Sequence, residues 1–443
     1  MTATATEALR PGAAYFSPGV RIFALGELTA GPEPGTEVAP DVMADVQRVE
    51  ITRVANGGSQ YSITLNNWYT TTAADRRTNS VGEHSDRGSH VHDWPRFKYN
   101  DFSLLRFGQR LRIDLRYWPD APASGRGVSN RWVPMVAGPI TDMQFSFGDS
   151  GSTVVVSGED DLSKLKDRVL ERQTLGPHRE RALVDRVLTL AGYPLNPPAP
   201  PLVPWPPFAE DGEAPDESIS DGQSYLEFLQ RLADRLDLEV FIEFASLDDP
   251  SSGVQLHVEP ARSGRGPDEG DRETYVVERG KTLLSYAPTI KVVDQPSDVR
   301  VRGRHRDREI PEPVDQVAIP SAVAEELFPS GLKTGPEVRA TYFPDRPNPM
   351  VLPNETNLDD GRGLHMANVK LRQKAREFFT IEGSTLGLPR MRPGGYVEIK
   401  GMRPPFDGFF YVTKTVHAYG NDGYGTRFSA RRPGMPMPPY GEG

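Results

Sequence analysis

Polar and apolar positions alternate with a period of two over much of this chain, and a helical period interrupts them in only a few places. The alternation is cleanest near the C-terminal end. Tyr396 to Lys400 puts Val397 and Ile399 on one face and Tyr396, Glu398 and Lys400 on the other. Phe409 to Tyr419 is rich in aromatic and β-branched residues, as a strand prefers. Tyr424 to Arg431 returns with Tyr424, Thr426, Phe428 and Ala430 on one face. Pro393-Gly394-Gly395 and Asp407-Gly408 read as turns, and Gly420-Asn421-Asp422-Gly423 supplies the positive φ angles a tight hairpin needs.

The N-terminal part has the same texture. Strands are predicted at Val20 to Leu25, Asp45 to Arg53, Gln60 to Asn66, Leu104 to Trp118, Met135 to Phe147 and Ser152 to Gly158. Strands in this number without helices predict a closed barrel or a sandwich. The period then changes. Glu159-Asp160-Asp161 opens a helix over Asp160 to Arg172, and Pro177 to Ala191 is a second. Ser220 to Leu236 is the clearest helix, capped by Ser220 or Asp221, with Tyr225, Phe228, Leu229, Leu232 and Leu236 at helical spacing. Strands resume at Glu239 to Phe244, Val254 to Val258, Tyr275 to Val277, Leu283 to Pro288 and Ile290 to Val301. A basic helix spans Asp359 to Phe379.

The order of these parts resembles a known family. The C-terminal run of Pro393, Gly394, Val397, Ile399, Gly401, then Phe406, Asp407, Gly408, Tyr411, Val412 and His417, then Gly423, Tyr424, Thr426, Phe428, Arg431 and Arg432, is similar to the signature of the phage late control D family. That family forms baseplate hubs of contractile tails, and the hub part of the spike protein VgrG is similar. Three further segments fit. Gly138 to Phe147 leads into Val154 to Asp161 with Asp160; Tyr225 to Ala233 contains Phe228 and Leu232; Tyr275 to Gly303 ends on Gly303. Asp237 stands where the family usually has Gly.

The resemblance implies a mainly β, α+β fold. Two tail-tube-like antiparallel β-barrels would flank an α/β region, with Pro-rich insertions. The implied boundaries are a flexible arm at 1–14, a first barrel at 15–158 with a loop insertion at 70–99, and a helical domain at 159–274. A second barrel, split into 275–308 and 378–432, surrounds an insertion and helix at 309–377, and a tail follows at 433–443. Three copies would close a ring with pseudo-sixfold symmetry, because a tail tube built of sixfold rings needs six similar surfaces from a trimer. The implied partners are the chain itself, a tail tube protein, a VgrG-like spike and baseplate wedge proteins, with no membrane and no specific nucleic acid. No cofactor is implied. The motif residues take structural and assembly roles.

Composition narrows the alternatives. The chain has 443 residues, a net charge of −10, and 42 each of Gly and Pro, so long polar loops are expected on β-rich cores. It contains no cysteine, which excludes disulfides, thiolate nucleophiles and Cys-ligated metals. The opening lacks the basic and apolar regions of a secretory signal, and no apolar run reaches the ~20 residues of a membrane helix. A cytoplasmic product that ends in a virion tail or injection particle is expected. The acidic balance disfavours nonspecific nucleic-acid binding.

Candidate chemistry is sparse. The chain has no phosphate-binding loop, nucleophile elbow or His-Glu-x-x-His motif. His90 and His92 would share a face of an extended segment near His84, Asp86 and Asp93, but a metal site needs three or more ligands on rigid elements. Arg300, Arg302, Arg304, Arg306 and Arg308 would share a strand face, a pattern that mostly marks solvated or ion-paired surfaces. The Pro-rich segment Pro194 to Pro215 reads as a stiff spacer. The sequence therefore points to a non-enzymatic baseplate hub. The alternatives are a tail-associated cell-wall hydrolase and a carbohydrate-binding β-protein.

Overall fold

The computed structural model describes residues 16–28, 33–68, 97–119, 132–148, 151–177, 180–193, 216–249, 251–262, 273–305, 313–319, 332–358 and 360–436. The first region forms strands β1 (Phe16–Ala24), β2 (Thr36–Glu37), β3 (Val46–Val54), β4 (Gln60–Asn66), β5 (Arg110–Pro119), β6 (Val133–Gly148) and β7 (Gly151–Glu159). Alternation does what the sequence predicts. Val49, Ile51, Tyr61, Ile63, Leu65, Leu111, Ile113, Leu115, Val154 and Val156 point inward into one core.

A layer of mixed structure follows. A 3₁₀ turn (Asp161–Lys166) stands where a longer helix was expected, then β8 (Gln173–Pro177), α1 (Glu180–Leu190), β9 (Asp216–Ile219), α2 (Tyr225–Leu236), β10 (Leu238–Phe244) and β11 (Val254–Pro260). The cap of α2 is Ser224, not Ser220 or Asp221. Ser224 and Glu227 form a reciprocal capping box, and the helix ends at Asp237 in the left-handed conformation with φ of 60°.

The second region contains β12 (Thr274–Glu278), β13 (Leu283–Ile290), β14 (Asp298–His305), β15 (Pro313–Ala318), β16 (Leu332–Thr334), α3 (Gly335–Tyr342), β17 (Pro349–Leu358), α4 (Asp360–Arg376), β18 (Phe379–Leu386), β19 (Tyr396–Lys400), β20 (Gly408–Gly420), β21 (Gly423–Arg432) and β22 (Gly434–Pro436). The insertion is more ordered than its Pro-rich sequence implies. β14, expected in the second barrel, instead pairs with β15 and β17 in a separate three-stranded sheet. Val299 and Val301 of β14 bury against Ala367, Leu371 and Ala375 of α4. The first tail residues pair back, β22 against β16.

The two β-rich regions have one topology. The long strands of the first, in chain order β1, β3, β4, β5, β6 and β7, lie side by side as β3-β4-β7-β6-β5-β1. Those of the second, β12, β13, β18, β19, β20 and β21, lie as β13-β18-β21-β20-β19-β12, the same permutation. Their registers also coincide. The β6·β7 ladder breaks between Ile140 and Asp142, then pairs Asp142 through Gly148 with Ser157 back to Gly151. The β20·β21 ladder breaks between Val412 and Lys414, then pairs Lys414 through Gly420 with Ser429 back to Gly423. A second break matches too, between Val46 and Arg48 in β3·β4 and between Leu283 and Ser285 in β13·β18. Such bulges set the local bend of a sheet, so sharing both is a strong sign of one architecture used twice. One difference remains: β1 and β5 are antiparallel, β12 and β19 parallel. In this register Gly138 of β6 corresponds to Phe410 of β20.

The expectation of two closed barrels does not hold among the described residues. To close, β3 would have to meet the outer half of β6 in its own unit. Instead the outer edge of β3 takes β20, with Arg48–Val54 against Gly420–Lys414. The result is one 13-stranded sheet spanning both units, with β12 and β19 branching off its main path at β20.

Gly138 is fixed by a close approach. A Cβ built there would lie 2.0 Å from the Glu159 carbonyl oxygen and 2.7 Å from the Asp160 backbone. Gly138→Ala should therefore lower unfolding free energy by about 3 kcal/mol through forced backbone displacement, measured by denaturant titration. A change under ~0.5 kcal/mol would show that β6 and β7 can separate freely there.

Candidate assembly surfaces

The C-terminal motif residues gather into two clusters. At the first, Arg432 donates to the carbonyls of Asp407 (3.1 Å), Pro405 (2.7 Å) and Gly434 (2.8 Å), and its guanidinium covers the rings of Phe379 and Phe410. Gly408, with φ of 113°, lets β20 start beside it; a Cβ there would sit 3.1 Å from Arg432 Nη1. The Asp407 carboxylate accepts from the Met402 amide at 2.6 Å, and Gly401 turns away from β19 with φ of 85°. Pro393 and Gly394 make the preceding turn, where Gly394 N donates to Val412 O at 2.9 Å.

The second cluster is His417, Tyr424 and Thr426. His417 is fully buried. Its Nδ1 lies 2.8 Å from Tyr424 Oη and 3.2 Å from Thr426 Oγ1, and its Nε2 lies 3.1 Å from Met391 O. Burial first, then the charge of Arg53, holds its imidazole down at about 3, so it is neutral at ordinary pH. Gly423 closes the adjoining hairpin with φ of 107°.

The remaining motif residues lie elsewhere. Gly138 sits in β6, and Gly303 in β14. Phe228 and Leu232 fill the core face of α2. Asp160 is a buried cap. Its carboxylate accepts from Ser59 N at 2.6 Å and Leu162 N at 3.1 Å, and burial pushes it up to about 7 against those two bonds. A nearby cleft of about 370 Å³ includes Glu159, Asp160 and Glu227 among its walls, but Glu227 is spent in the capping box of α2 and Asp160 in its own cap. Of the arginine stripe, Arg300 pairs with Asp298 at 2.8 Å and Arg302 with Asp315 at 3.5 Å, both within this chain; Arg306 and Arg308 lie outside the described residues. So do His84, Asp86, His90, His92, Asp93 and the segment Pro194 to Pro215.

Two features escaped the sequence reading. The first is a buried ionic seam that fastens the mixed layer across the β3·β20 join. Glu243 of β10 pairs with Arg53 of β3 at 2.8 Å and with Arg392. Burial alone would raise its carboxyl, but the two guanidiniums outweigh that and hold it at about 2. Glu239 accepts from Tyr411 of β20 and, at 3.2 Å, from Arg431 of β21, whose guanidinium lies over the Tyr411 ring. Asp237 is gripped by Arg376 of α4 at 2.6 Å and by Arg372 at 3.2 Å. These carboxylates are distant in sequence from their partners, so no local pattern announces them. The second feature is a partly exposed aromatic ladder around the outer half of β6, with Phe102, Phe107 and Phe147 exposed and Phe97 and Phe145 half-buried. Phe147 meets Phe97 (4.8 Å between centroids) and Phe145 (6.2 Å); Phe145 meets Phe102, which meets Phe107. The alternation of Met143, Phe145 and Phe147 was its only sequence signal.

Arg376→Met would leave Asp237 buried with a weaker partner and should lower stability by about 3 kcal/mol in denaturant titrations; an unchanged midpoint would mean that Arg372 alone satisfies it. His417 gives a pH test. Its folded value lies below its unfolded one, so its contribution is fully present above pH 6.5 and is lost as pH falls from there toward 3. The stability advantage of the wild-type chain over His417→Asn should shrink across that window. A constant difference would show that the folded chain protonates His417 as readily as the unfolded chain does.

No protein-family model and no curated protein matches the chain. Solved structures do. The 43 kDa tail protein of prophage MuSo2 from Shewanella oneidensis aligns with a TM-score of 0.56 at 12% identity, over 94% of this chain and 99% of that one. The tail protein from Neisseria meningitidis MC58 aligns at 0.54 and 12% identity, over 94% and 96%. The Francisella PdpA-VgrG complex in its half-lidded form aligns at 0.51 and 10% identity, over 96% of this chain and 59% of that one. The chain thus shares its fold with these tail proteins at 12% sequence identity.

Proposed function

We propose that this chain is the central baseplate hub of a contractile tail or injection particle, joining a sixfold tail tube to a trimeric spike. The observation that carries this is the doubled unit: one permutation of strands, with both bulges in matching rows, occurs twice in one chain. Three copies would then offer six similar surfaces to a tube while keeping threefold symmetry for a spike. The tail proteins that share the fold support a structural role. In this reading the tube protein sits above, a VgrG-like spike below and wedge proteins outside, and the protein works inside the particle without an active site. The motif residues from Gly138 to Arg431 hold the units in shape. In this reading the tail, residues 433–443, contacts the spike or lies against the hub's lower face.

The test is imaging of purified particles carrying a tagged copy of this chain. Threefold density between tube and spike is the expected result. Sixfold or monomeric density at that level, or a label elsewhere in the particle, would sink the reading. The purified chain should also leave cell-wall material intact in a zymogram; cleavage that disappears with a single side-chain change would make it an enzyme.

A further inference from the structure

The ionic seam at the join of β3 and β20 does not balance its charge. Arg53 of β3 and Arg392, in the turn before β19, share one carboxylate, Glu243 of β10. Arg53 Nη2 donates to Glu243 Oε2 at 2.8 Å, and Arg392 Nη1 donates to Oε1. Oε1 also accepts from Phe244 N at 2.9 Å. Neither guanidinium pairs with a second carboxylate among the described residues. We propose that a small monovalent anion of the chloride class binds at this join, held by Arg53, Arg392 and Thr415.

Three donors are left over at the same place. Arg53 Nη1 and Arg392 Nε are buried and meet no acceptor among the described residues, and Thr415 Oγ1 has no partner either. Thr415 of β20 is the cross-strand partner of Arg53, so their side chains stand on one face of the join. Both arginines are 5% exposed and Thr415 is 0% exposed. An unpartnered Nε alone would mean little. Arg431 has one too, but Glu239 answers its charge. What sets this place apart is that two guanidiniums depend on one carboxylate.

The protonation states leave the excess in place. A guanidinium keeps its proton in a protein. Glu243, held at about 2, is ionised and supplies one negative charge. His417, two residues along β20 from Thr415, is neutral and adds no charge of its own. Burial pulls Arg392 below its ordinary value; Glu243 opposes this and Arg53 adds to it. That is the direction expected where positive charge is under-compensated. Two positive charges thus meet one negative charge, and an unbalanced charge away from water is strongly disfavoured. A monovalent anion cancels the excess and accepts the spare N–H and O–H groups.

The donor set narrows the ligand. Planar oxyanions are favoured by a two-pronged guanidinium fork. Here Arg392 spends Nη1 on Glu243 and Nη2 on Pro134 O of β6 at 2.7 Å, which leaves one nitrogen without a partner. Arg53 likewise leaves one. Single donors from separate residues suit a monoatomic ion. The same contacts give the ion its role. Arg53 belongs to the first unit, Thr415 to the second, Glu243 to the mixed layer, and Arg392 reaches back to β6. An anion here ties together all the parts that meet at the join. It would do so in the isolated chain, whatever particle that chain enters.

An ion that binds only the folded chain raises stability with its concentration. Urea titrations of the full chain, with sodium chloride replacing sodium gluconate at constant ionic strength, measure this. Above half-saturation, each tenfold rise in chloride should raise the folding equilibrium constant about tenfold. Thr415→Val keeps the branched shape, removes one donor, and should raise the chloride needed by about tenfold. Arg53→Met leaves Glu243 balanced by Arg392 alone and should abolish the dependence. Crystals grown in bromide should show an anomalous peak within hydrogen-bond reach of Arg53 Nη1 and Arg392 Nε. Stability independent of chloride, with no bromide at the join, would overturn the proposal and assign the spare donors to water. A chloride dependence that both variants leave unchanged would put the ion elsewhere and overturn it as well. If Arg53→Met does not fold, the Thr415→Val shift and the bromide peak decide.

Discussion

Everything in this molecule hangs on the join between β3 and β20. It replaces closure of either unit with continuity between them, and it decides which edges stay free. Hydrogen bonding along seven residue pairs gives the join its direction. The mixed layer gives it rigidity. Glu243 reaches across to Arg53 on one strand, and Glu239 reaches to Tyr411 on the other. A carboxylate buried this deeply is tolerable only when its partners are fixed, so the seam also fixes the angle between the units. The Asp237–Arg376 pair extends the same constraint to α4 and the insertion sheet.

The local grammar of the chain was largely readable. Strand periods at β3, β4, β19, β20 and β21, the turns at Gly394 and Gly423, and the apolar face of α2 all follow from alternation and turn chemistry. The structure gives a physical reason for the residue types of the C-terminal run: Gly408 makes room for Arg432, and His417 is locked between Tyr424, Thr426 and Met391.

What could not be read was non-local. The repeat is one of backbone register, and its equivalent rows carry different side chains. Phe145 corresponds to His417, Leu65 to Thr385, and Ile63 to Gly383. Each unit fills its core with its own set of shapes, so side-chain similarity decays while the ladders persist. The 3₁₀ turn after Glu159 has the same cause. Asp160 is held by Ser59, a residue about a hundred positions away, and that bond ends the strand and bends the chain before a helix can start. The order inside the insertion was hidden by its prolines, which suit a short edge strand as well as a loop.

The join has a consequence for how the protein is made. β3 leaves the ribosome near the start of synthesis, and the strand it pairs with comes about 370 residues later. At ~5–20 residues per second, the growing chain carries a bare strand edge for tens of seconds. The first unit can collapse around its own core in that time, but its final neighbour does not yet exist. The angle between the units, and with it the spacing of the free edges, is therefore set only when translation is almost complete. A truncated chain that ends before β20 would carry a correctly folded first unit with its β3 edge open, the condition in which strands pair with the wrong molecule.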